Sequence, residues 1–269
     1  MTKSIQDVGC FLLDMDGTIY LGDKLIEGAA EFLNALTEQG KQFIFLTNNS
    51  SKNRDNYQQK LANLGIEVEK ETIFTSGEAT TIYLQESNFG KKVFLLGNAS
   101  LRDSFVDAGF ELVDGEEKPD VVVLGFDTTM TYDRVWQACD WIIEGVPYVA
   151  THPDFVCPLA GGKVMPDTGA MIEMIEATTG KRPYVVGKPN AAMIDALCQK
   201  YQLEKGSLAM VGDRIYTDVK IGKNANITSC LVLSGETKAE DVETSHIQPD
   251  YVFGSVDDIR RRLAAPVPA

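Results

Sequence analysis

Asp14 and Asp16, in the run Leu12-Leu13-Asp14-Met15-Asp16-Gly17-Thr18, leave an apolar stretch together and meet a glycine that permits a tight turn. One aspartate so placed can act as a nucleophile while the other gives or takes a proton, the two roles that displacement at phosphorus requires. The same spacing suits an ordinary acidic turn with Asp16 capping the backbone near Thr18, so the pair alone decides nothing.

Three further polar clusters follow apolar runs. Thr47-Asn48-Asn49-Ser50 comes after Phe43-Ile44-Phe45-Leu46, Gly187-Lys188-Pro189 after Tyr184-Val185-Val186, and Gly212-Asp213-Arg214-Ile215-Tyr216-Thr217-Asp218 after Leu208-Ala209-Met210-Val211. Thr47 offers a hydroxyl, Asn48 an amide or backbone N–H, and Lys188 a positive charge for phosphoryl oxygens. Asp213 and Asp218 are oxygen ligands of the kind magnesium prefers. Each cluster also has a plainer role, as a helix start, an exposed turn lysine, or a capped helix with a surface ion pair. All the plainer roles holding together is a far rarer conjunction than one phosphoryl-transfer site.

Such a site needs elements that bring the clusters to one place. Short apolar runs at 10–13, 43–46, 92–96, 120–125, 148–150, 184–186, 208–211 and 229–233 alternate with helical spacing over 28–39, 53–64, 77–87, 99–108, 131–144, 168–179 and 190–201. That order predicts an α/β protein with parallel sheets covered by helices, in which ligands bind beyond the carboxyl ends of the strands. The stretch 81–180 has strands and helices but none of the chemical clusters. The predicted organisation is therefore a discontinuous catalytic core of 1–80 and 181–263, an inserted α/β domain at 81–180, and a flexible tail at 264–269. Within the insert, residues 151–167 carry Pro153, Pro158, Gly161, Gly162 and Pro166, a long non-helical excursion of the kind usually kept for function.

The 269 residues carry 25 Lys and Arg against 39 Asp and Glu, a net charge of −14, which repels nucleic acid and acidic lipid surfaces. A small phosphate ester remains compatible, because a bound divalent cation and a few local donors can reverse the field inside a cleft. The 5 cysteines, Cys10, Cys139, Cys157, Cys198 and Cys230, stand singly and read as reduced thiols. No secretory leader or membrane-length apolar run is evident, so the expectation is a cytoplasmic protein without membrane association.

The four clusters resemble, in order and approximate spacing, the four motifs of the haloacid dehalogenase-like (HAD) hydrolase superfamily, which has a Rossmann-like core. Asp14-Met15-Asp16-Gly17-Thr18 is similar to the first motif, Thr47 to the second, Lys188 to the third, and Gly212-Asp213 with Asp218 to the fourth. Phe45-Leu46-Thr47-Asn48-Asn49-Ser50, Val186-Gly187-Lys188-Pro189-Asn190 and Gly212-Asp213-Arg214-Ile215-Tyr216-Thr217-Asp218 further resemble the NagD-like and 4-nitrophenylphosphatase-like branch, which carries a large α/β cap between the second and third motifs.

The resemblance implies that Asp14 attacks phosphorus to give an aspartyl-phosphate, while Asp16 protonates the leaving oxygen and then activates water. It implies Mg2+ held by Asp14, the Asp16 carbonyl and Asp213, with Asp218 orienting metal-bound waters. Thr47, Asn48, Asn49 and Lys188 would bind the phosphoryl oxygens. The substrate would be a small phosphorylated metabolite such as a sugar phosphate or nucleoside monophosphate. Asp16 favours phosphate esters over halides, since a departing alkoxide needs an acid. The segment between Asp16 and Thr47 is too short for the helical cap of the superfamily's mutases. Caps of this branch often mediate dimers, so a homodimer through the cap is a further expectation.

One departure bears on the substrate. Some relatives, including ones acting on pyridoxal phosphate or phosphoglycolate, have a histidine where Cys157 stands in Asp154-Phe155-Val156-Cys157-Pro158, and a thiol cannot donate a comparable hydrogen bond. His152 and Asp154 are the candidates to compensate. Two alternatives stay open on the sequence: a phosphotransferase passing the phosphoryl group to an acceptor alcohol, and a non-catalytic phosphometabolite-binding protein.

Overall fold

The computed structural model describes residues 4–115, 117–158 and 162–265. The chain begins with β1 (Cys10–Leu13), the short hairpin β2 (Tyr20–Leu21) and β3 (Lys24–Leu25), α1 (Ala29–Glu38), β4 (Gln42–Thr47), α2 (Arg54–Asn63) and β5 (Ile73–Thr75). It continues through α3 (Ser76–Ser87), β6 (Lys92–Leu96), α4 (Ala99–Asp107), β7 (Glu111–Leu112), β8 (Val121–Leu124), α5 (Tyr132–Ile143) and β9 (Tyr148–Ala150). The hairpin β10 (Val156–Pro158) and β11 (Val164–Pro166) precedes α6 (Thr168–Thr179), β12 (Tyr184–Val185) and α7 (Ala192–Tyr201). Last come β13 (Leu208–Gly212), α8 (Lys220–Ala225), β14 (Thr228–Val232), α9 (Ala239–Thr244), β15 (Tyr251–Phe253) and α10 (Val256–Ala264).

These elements form two compact units. The first comprises residues 1–47, 55–74 and 189–269 and is built on a six-stranded sheet of order β15-β14-β13-β1-β4-β5. β1 is parallel to both β4 and β13, with Leu13 opposite Phe45 on one side and Val211 on the other. All four residues of β1 are buried, as a central strand covered on both faces must be, so its sequence is a continuous apolar run. α1 buries Ala29, Phe32, Leu33 and Leu36 at helical spacing, and Phe32 meets Phe11 edge-on at 6.1 Å. α10 adds Val256, Ile259 and Leu263 to the same core, with Asp257 and Asp258 in its first turn and Arg261 and Arg262 in its last, charges that complement the helix dipole.

The second unit comprises residues 48–54 and 75–188 and holds a five-stranded sheet of order β12-β9-β8-β6-β7, parallel at every pairing. Phe94, Leu96, Val122, Leu124, Ile142, Ile172 and Ile175 lie in its core, between this sheet and helices α5 and α6.

The unit boundaries differ from the predicted 80/81 and 180/181. α3 belongs wholly to the second unit, because Gly77 packs so closely on Leu101 of α4 that a Cβ there would lie 2.7 Å from Leu101 Cδ1. β12 was expected as a core strand. It pairs instead with β9, and Tyr184 stacks on Tyr83 at 4.8 Å, so the second unit runs on to Lys188. The excursion 151–167 contains the β10–β11 hairpin, with 159–161 outside the described residues. Of the predicted tail, Ala264 ends α10 and the Ala265 carbonyl accepts a bond from Gln6 Nε2 at 2.8 Å, while 266–269 lie outside the described residues. Among the described residues no helix is long and apolar enough to cross a membrane, and all 5 cysteines are free.

Candidate active site

In the first unit the acidic residues gather where β1 and β13 end. Asp14 N donates to Val211 O at 2.9 Å, which carries the sheet ladder one residue past β1. The chain then turns sharply around the buried Met15, whose carbonyl accepts from Ile19 N at 2.8 Å, while Gly17, at φ 86°, donates to Tyr20 O at 2.7 Å. This wrapping leaves Asp14 half-buried and Asp16 exposed. Asp213 and Asp218 are buried at 2% and 1% exposure, Asp213 just beyond β13 and Asp218 in the π-helical turn Ile215–Val219. Asp218 Oδ2 accepts from Arg214 N at 3.1 Å, which closes that turn on itself.

The carboxylates of Asp14, Asp213 and Asp218 each offer an oxygen, and these atoms lie within 4.8 Å of one another. Three like charges converging this closely, two of them out of water, are costly unless a cation stands among them. The backbone around them leaves no room for side chains. A Cβ on Gly17 would lie 2.4 Å from Asp213 Oδ2, one on Gly235 2.1 Å from the same oxygen, and one on Gly212 2.3 Å from Asp218 Oδ2. An all-oxygen donor set of this kind fits Mg2+. Arg214 adds a fixed positive charge. Burial opposes it, but Tyr216, Asp14, Glu236 and Asp213 around it hold its pKa above the ordinary range.

Thr47, 8% exposed, is the last residue of β4 and so stands at the same end of the sheet as Asp14. Glu236, which the sequence reading passed over, donates its backbone N–H to Asp213 Oδ2 at 2.7 Å, and Ser234 Oγ donates to Gly17 O at 2.7 Å. Their signal was available: Ser234-Gly235-Glu236-Thr237 is also a polar cluster following an apolar strand.

The remaining predicted residues lie in the second unit. Asn48 and Lys188 are both buried there, and the Asn48 side chain bonds the Lys188 backbone rather than standing free. Asn49 Oδ1 accepts from Ser51 N at 2.8 Å and Ser51 Oγ at 2.6 Å, the geometry of a side-chain-closed turn. His152 is fully buried with both ring nitrogens engaged, Nδ1 2.8 Å from Thr151 Oγ1 and Nε2 2.9 Å from Asp167 Oδ1. Direct contact with a substrate is thus closed to it. The ring instead joins the two ends of the segment that carries the β10–β11 hairpin. Burial disfavours the imidazolium, yet the Asp167 bond and charge outweigh it and hold the His152 pKa above 6.5. Asp167 is likewise penalised by burial, but His152 and the Thr168 N–H and hydroxyl keep its pKa below 3.8. Asp154 is half-buried and its carbonyl accepts from Gly169 N at 2.8 Å, while Cys157 is a half-buried free thiol on β10. Asp167 lies 15 residues from its partner and carries no motif, so the sequence did not reveal the pair.

Residues 11–111 match the family described as haloacid dehalogenase-like hydrolase, and residues 185–259 match a second HAD-hydrolase-like family. The crystal structure of 4-nitrophenylphosphatase from Thermotoga maritima superposes with a TM-score of 0.91 at 45% identity, covering 96% of this chain and 98% of that one. Phosphoglycolate phosphatase 1A of Arabidopsis thaliana chloroplasts is 37% identical over 98% of this chain and 79% of its own length. Glycerol phosphate phosphatase from Mycobacterium tuberculosis, solved in complex with magnesium, has a TM-score of 0.86 at 28% identity, covering 98% of this chain and 78% of that one. The chain belongs to the haloacid dehalogenase-like hydrolase family, in the branch of the NagD-like proteins and 4-nitrophenylphosphatases. It is a phosphoric monoester hydrolase whose Rossmann-like core carries an inserted α/β cap, the second unit described above.

Proposed function

We propose that the protein hydrolyses small phosphate monoesters in a Mg2+-dependent reaction that passes through a phosphoryl group on Asp14. The observation that carries this reading is the convergence of Asp14, Asp213 and Asp218 oxygens within 4.8 Å. The Asp14 carboxylate attacks phosphorus, the ester P–O bond breaks, and Asp16 delivers its proton to the departing oxygen. Asp16 then removes a proton from water, whose oxygen attacks the same phosphorus and returns Asp14 as a free carboxylate with release of phosphate. Asp16 regains from that water the proton it gave to the departing oxygen, so the cycle closes on this one carboxyl, and its exposure leaves it open to the incoming water.

On family resemblance Asp14, the Asp16 carbonyl and Asp213 would hold magnesium, with Asp218 positioning its waters, and the bound ion would supply positive charge to the phosphoryl oxygens. The magnesium complex of the mycobacterial relative supports that choice of ion. Thr47, Asn48, Asn49 and Lys188 are assigned to the phosphoryl oxygens on family resemblance, with the Asn48 amide acting through the Lys188 backbone it bonds. Sugar phosphates, nucleoside monophosphates and 4-nitrophenyl phosphate are the substrate classes proposed. Scattered free thiols support a reducing, cytoplasmic setting.

The test is phosphate release from 4-nitrophenyl phosphate and a panel of metabolite esters that includes phosphoglycolate, with and without Mg2+. Turnover that requires Mg2+ and falls at least ~10³-fold in Asp14→Asn is expected. Wild-type turnover by Asp14→Asn, or none by the native protein on any ester, refutes the reading.

A further inference from the structure

The loop after β14 is joined to the residues that follow Asp213 by side chains as well as by backbone. Glu236 Oε2 lies 2.9 Å from Arg214 Nε, and Glu236 Oε1 accepts the Tyr216 hydroxyl at 2.9 Å. Glu236, whose side chain is 49% exposed, thus meets the loop that begins at Asp213 through one hydrogen bond, from Tyr216, and one ion-pair contact, with Arg214. The Glu236 peptide N–H, in the same residue, meets Asp213 Oδ2 at 2.7 Å, and Thr237 N donates to Asp213 O at 3.2 Å. A fourth carboxylate beside an acidic cluster adds repulsion, so its presence calls for a compensating role. Arg214 offsets the charge and Tyr216 fixes the direction.

We propose that Glu236 is a positioning residue for Asp213: its side chain, pinned by Arg214 and Tyr216, locks the peptide N–H that fixes Asp213 Oδ2 and so sets the affinity of the acidic cluster for its cation. The inference rests on the reading of Asp14, Asp213 and Asp218 as the magnesium site. Partners that orient a ligating carboxylate are a recognised determinant of metal affinity. Free rotation of Asp213 about its Cβ–Cγ bond adds an ordering cost that each binding event must meet. Gly235, where a Cβ would strike Asp213 Oδ2 at 2.1 Å, lets the loop approach closely enough for the Glu236 N–H to reach that oxygen.

Two explanations of any effect at Glu236 must be separated. A negative charge near a cation attracts it whatever its orientation, but that attraction is screened by salt, whereas orientation held by the Tyr216 hydroxyl is much less so. Tyr216→Phe removes one anchor of the Glu236 side chain and changes no charge.

The experiment is calorimetric titration of the metal-depleted full-length protein with MgCl2 at low and high KCl, with thermal melts to verify folding. Glu236→Ala is expected to raise the Mg2+ dissociation constant about tenfold and Tyr216→Phe about threefold, both persisting at high salt. Glu236→Gln, which keeps an acceptor oxygen, is expected to fall between wild type and Glu236→Ala. In steady-state assays kcat of Glu236→Ala recovers at saturating Mg2+ while half-activation moves to higher concentration, a split that general loss of structure does not produce. Wild-type affinity in Glu236→Ala and Tyr216→Phe overturns the proposal. An effect confined to the charge-changing variants and abolished by salt overturns it equally. Asp213→Asn separates the two levels: if it binds Mg2+ as wild type does, the magnesium site itself is misassigned, whereas lost binding there with unaffected Glu236 variants removes only the positioning role.

Discussion

The Asn48 side chain and the Lys188 backbone exchange two hydrogen bonds although 140 residues separate them: Asn48 Nδ2 donates to Lys188 O at 2.9 Å, and Lys188 N donates to Asn48 Oδ1 at 2.8 Å. One amide thus satisfies both main-chain polar groups of a buried residue, as a neighbouring strand would. Gly187 sits against the same amide, where a Cβ would lie 2.7 Å from Asn48 Oδ1 and 2.5 Å from Thr151 O.

Asn48→Ala removes that partner and leaves a buried N–H and a buried carbonyl unmatched, at a cost of about 3 kcal/mol. Urea denaturation measures the loss, and kcat for 4-nitrophenyl phosphate is expected to drop with it as Lys188 loses its fixed backbone. Asn48→Asp, which cannot donate to Lys188 O, is expected to be impaired as well. Native stability and turnover in both variants contradict this account.

Gly235→Ala tests how tightly the backbone encloses Asp213. The new Cβ would press on Asp213 Oδ2, so either the carboxylate or the loop must shift. Activity is expected to fall by about 100-fold while the far-ultraviolet circular dichroism stays native, because the first unit's core does not involve this position. A fully active Gly235→Ala enzyme refutes the enclosure.

The His152–Asp167 pair gives the second unit a pH signature. His152 has a raised pKa, so its contribution is fully present below the ordinary value of 6.5 and is lost as pH rises through the higher folded value. Asp167 has a lowered pKa, so its contribution is present above 3.8 and is lost as pH falls through the lower folded value. Stability of this unit is expected to be greatest between those limits, with Tm declining on the alkaline side above pH 6.5. His152→Ala strands a buried carboxylate, costs about 3 kcal/mol and flattens the alkaline limb. Scanning calorimetry from pH 4 to 9 reads both effects.

Asp250 supplies an acid-side counterpart in the first unit. Burial raises its pKa, but bonds from Lys223 and from the Ser229 hydroxyl and N–H lower it overall. Its contribution is therefore present above 3.8 and lost as pH falls through the depressed value. The Lys223 partner is 40% exposed and its pairing is worth little, whereas the two bonds to Ser229 anchor the start of β14. Asp250→Ala is expected to cost about 1–2 kcal/mol at pH 7, a deficit that shrinks as pH falls below 3.8. Chemical denaturation at pH 7 and at pH 3 reads the change.

The buried parallel strands were plain in the sequence, since a strand covered on both faces must be apolar throughout, and 10–13 and 208–211 were located from that fact alone. Asp14, Asp213 and Asp218 followed because polar residues directly after such strands must stand at the sheet's end. What escaped was decided by partners remote in sequence. Tyr184–Val185 is too short to declare its sheet, and its assignment to the cap depends on β9 and on stacking against Tyr83. His152 read as a candidate substrate contact because its buried partner Asp167 sits beyond the hairpin, and Glu236 was missed because its role runs through a peptide N–H that any residue possesses.

β1 lies between β4 and β13, so one flank of this wholly apolar strand stays bare until the ribosome has passed residue 208 of the 269. A nascent or clipped chain ending earlier presents Cys10-Phe11-Leu12-Leu13 as an open edge, an invitation to pair with the wrong strand. The same late arrival brings Asp213 and Asp218, so a chain ending before them lacks two of the three carboxylates of the acidic cluster. Synthesis thus passes through an aggregation-prone stage before any catalytic one, and the cell sees either a finished phosphatase or material for its chaperones and proteases.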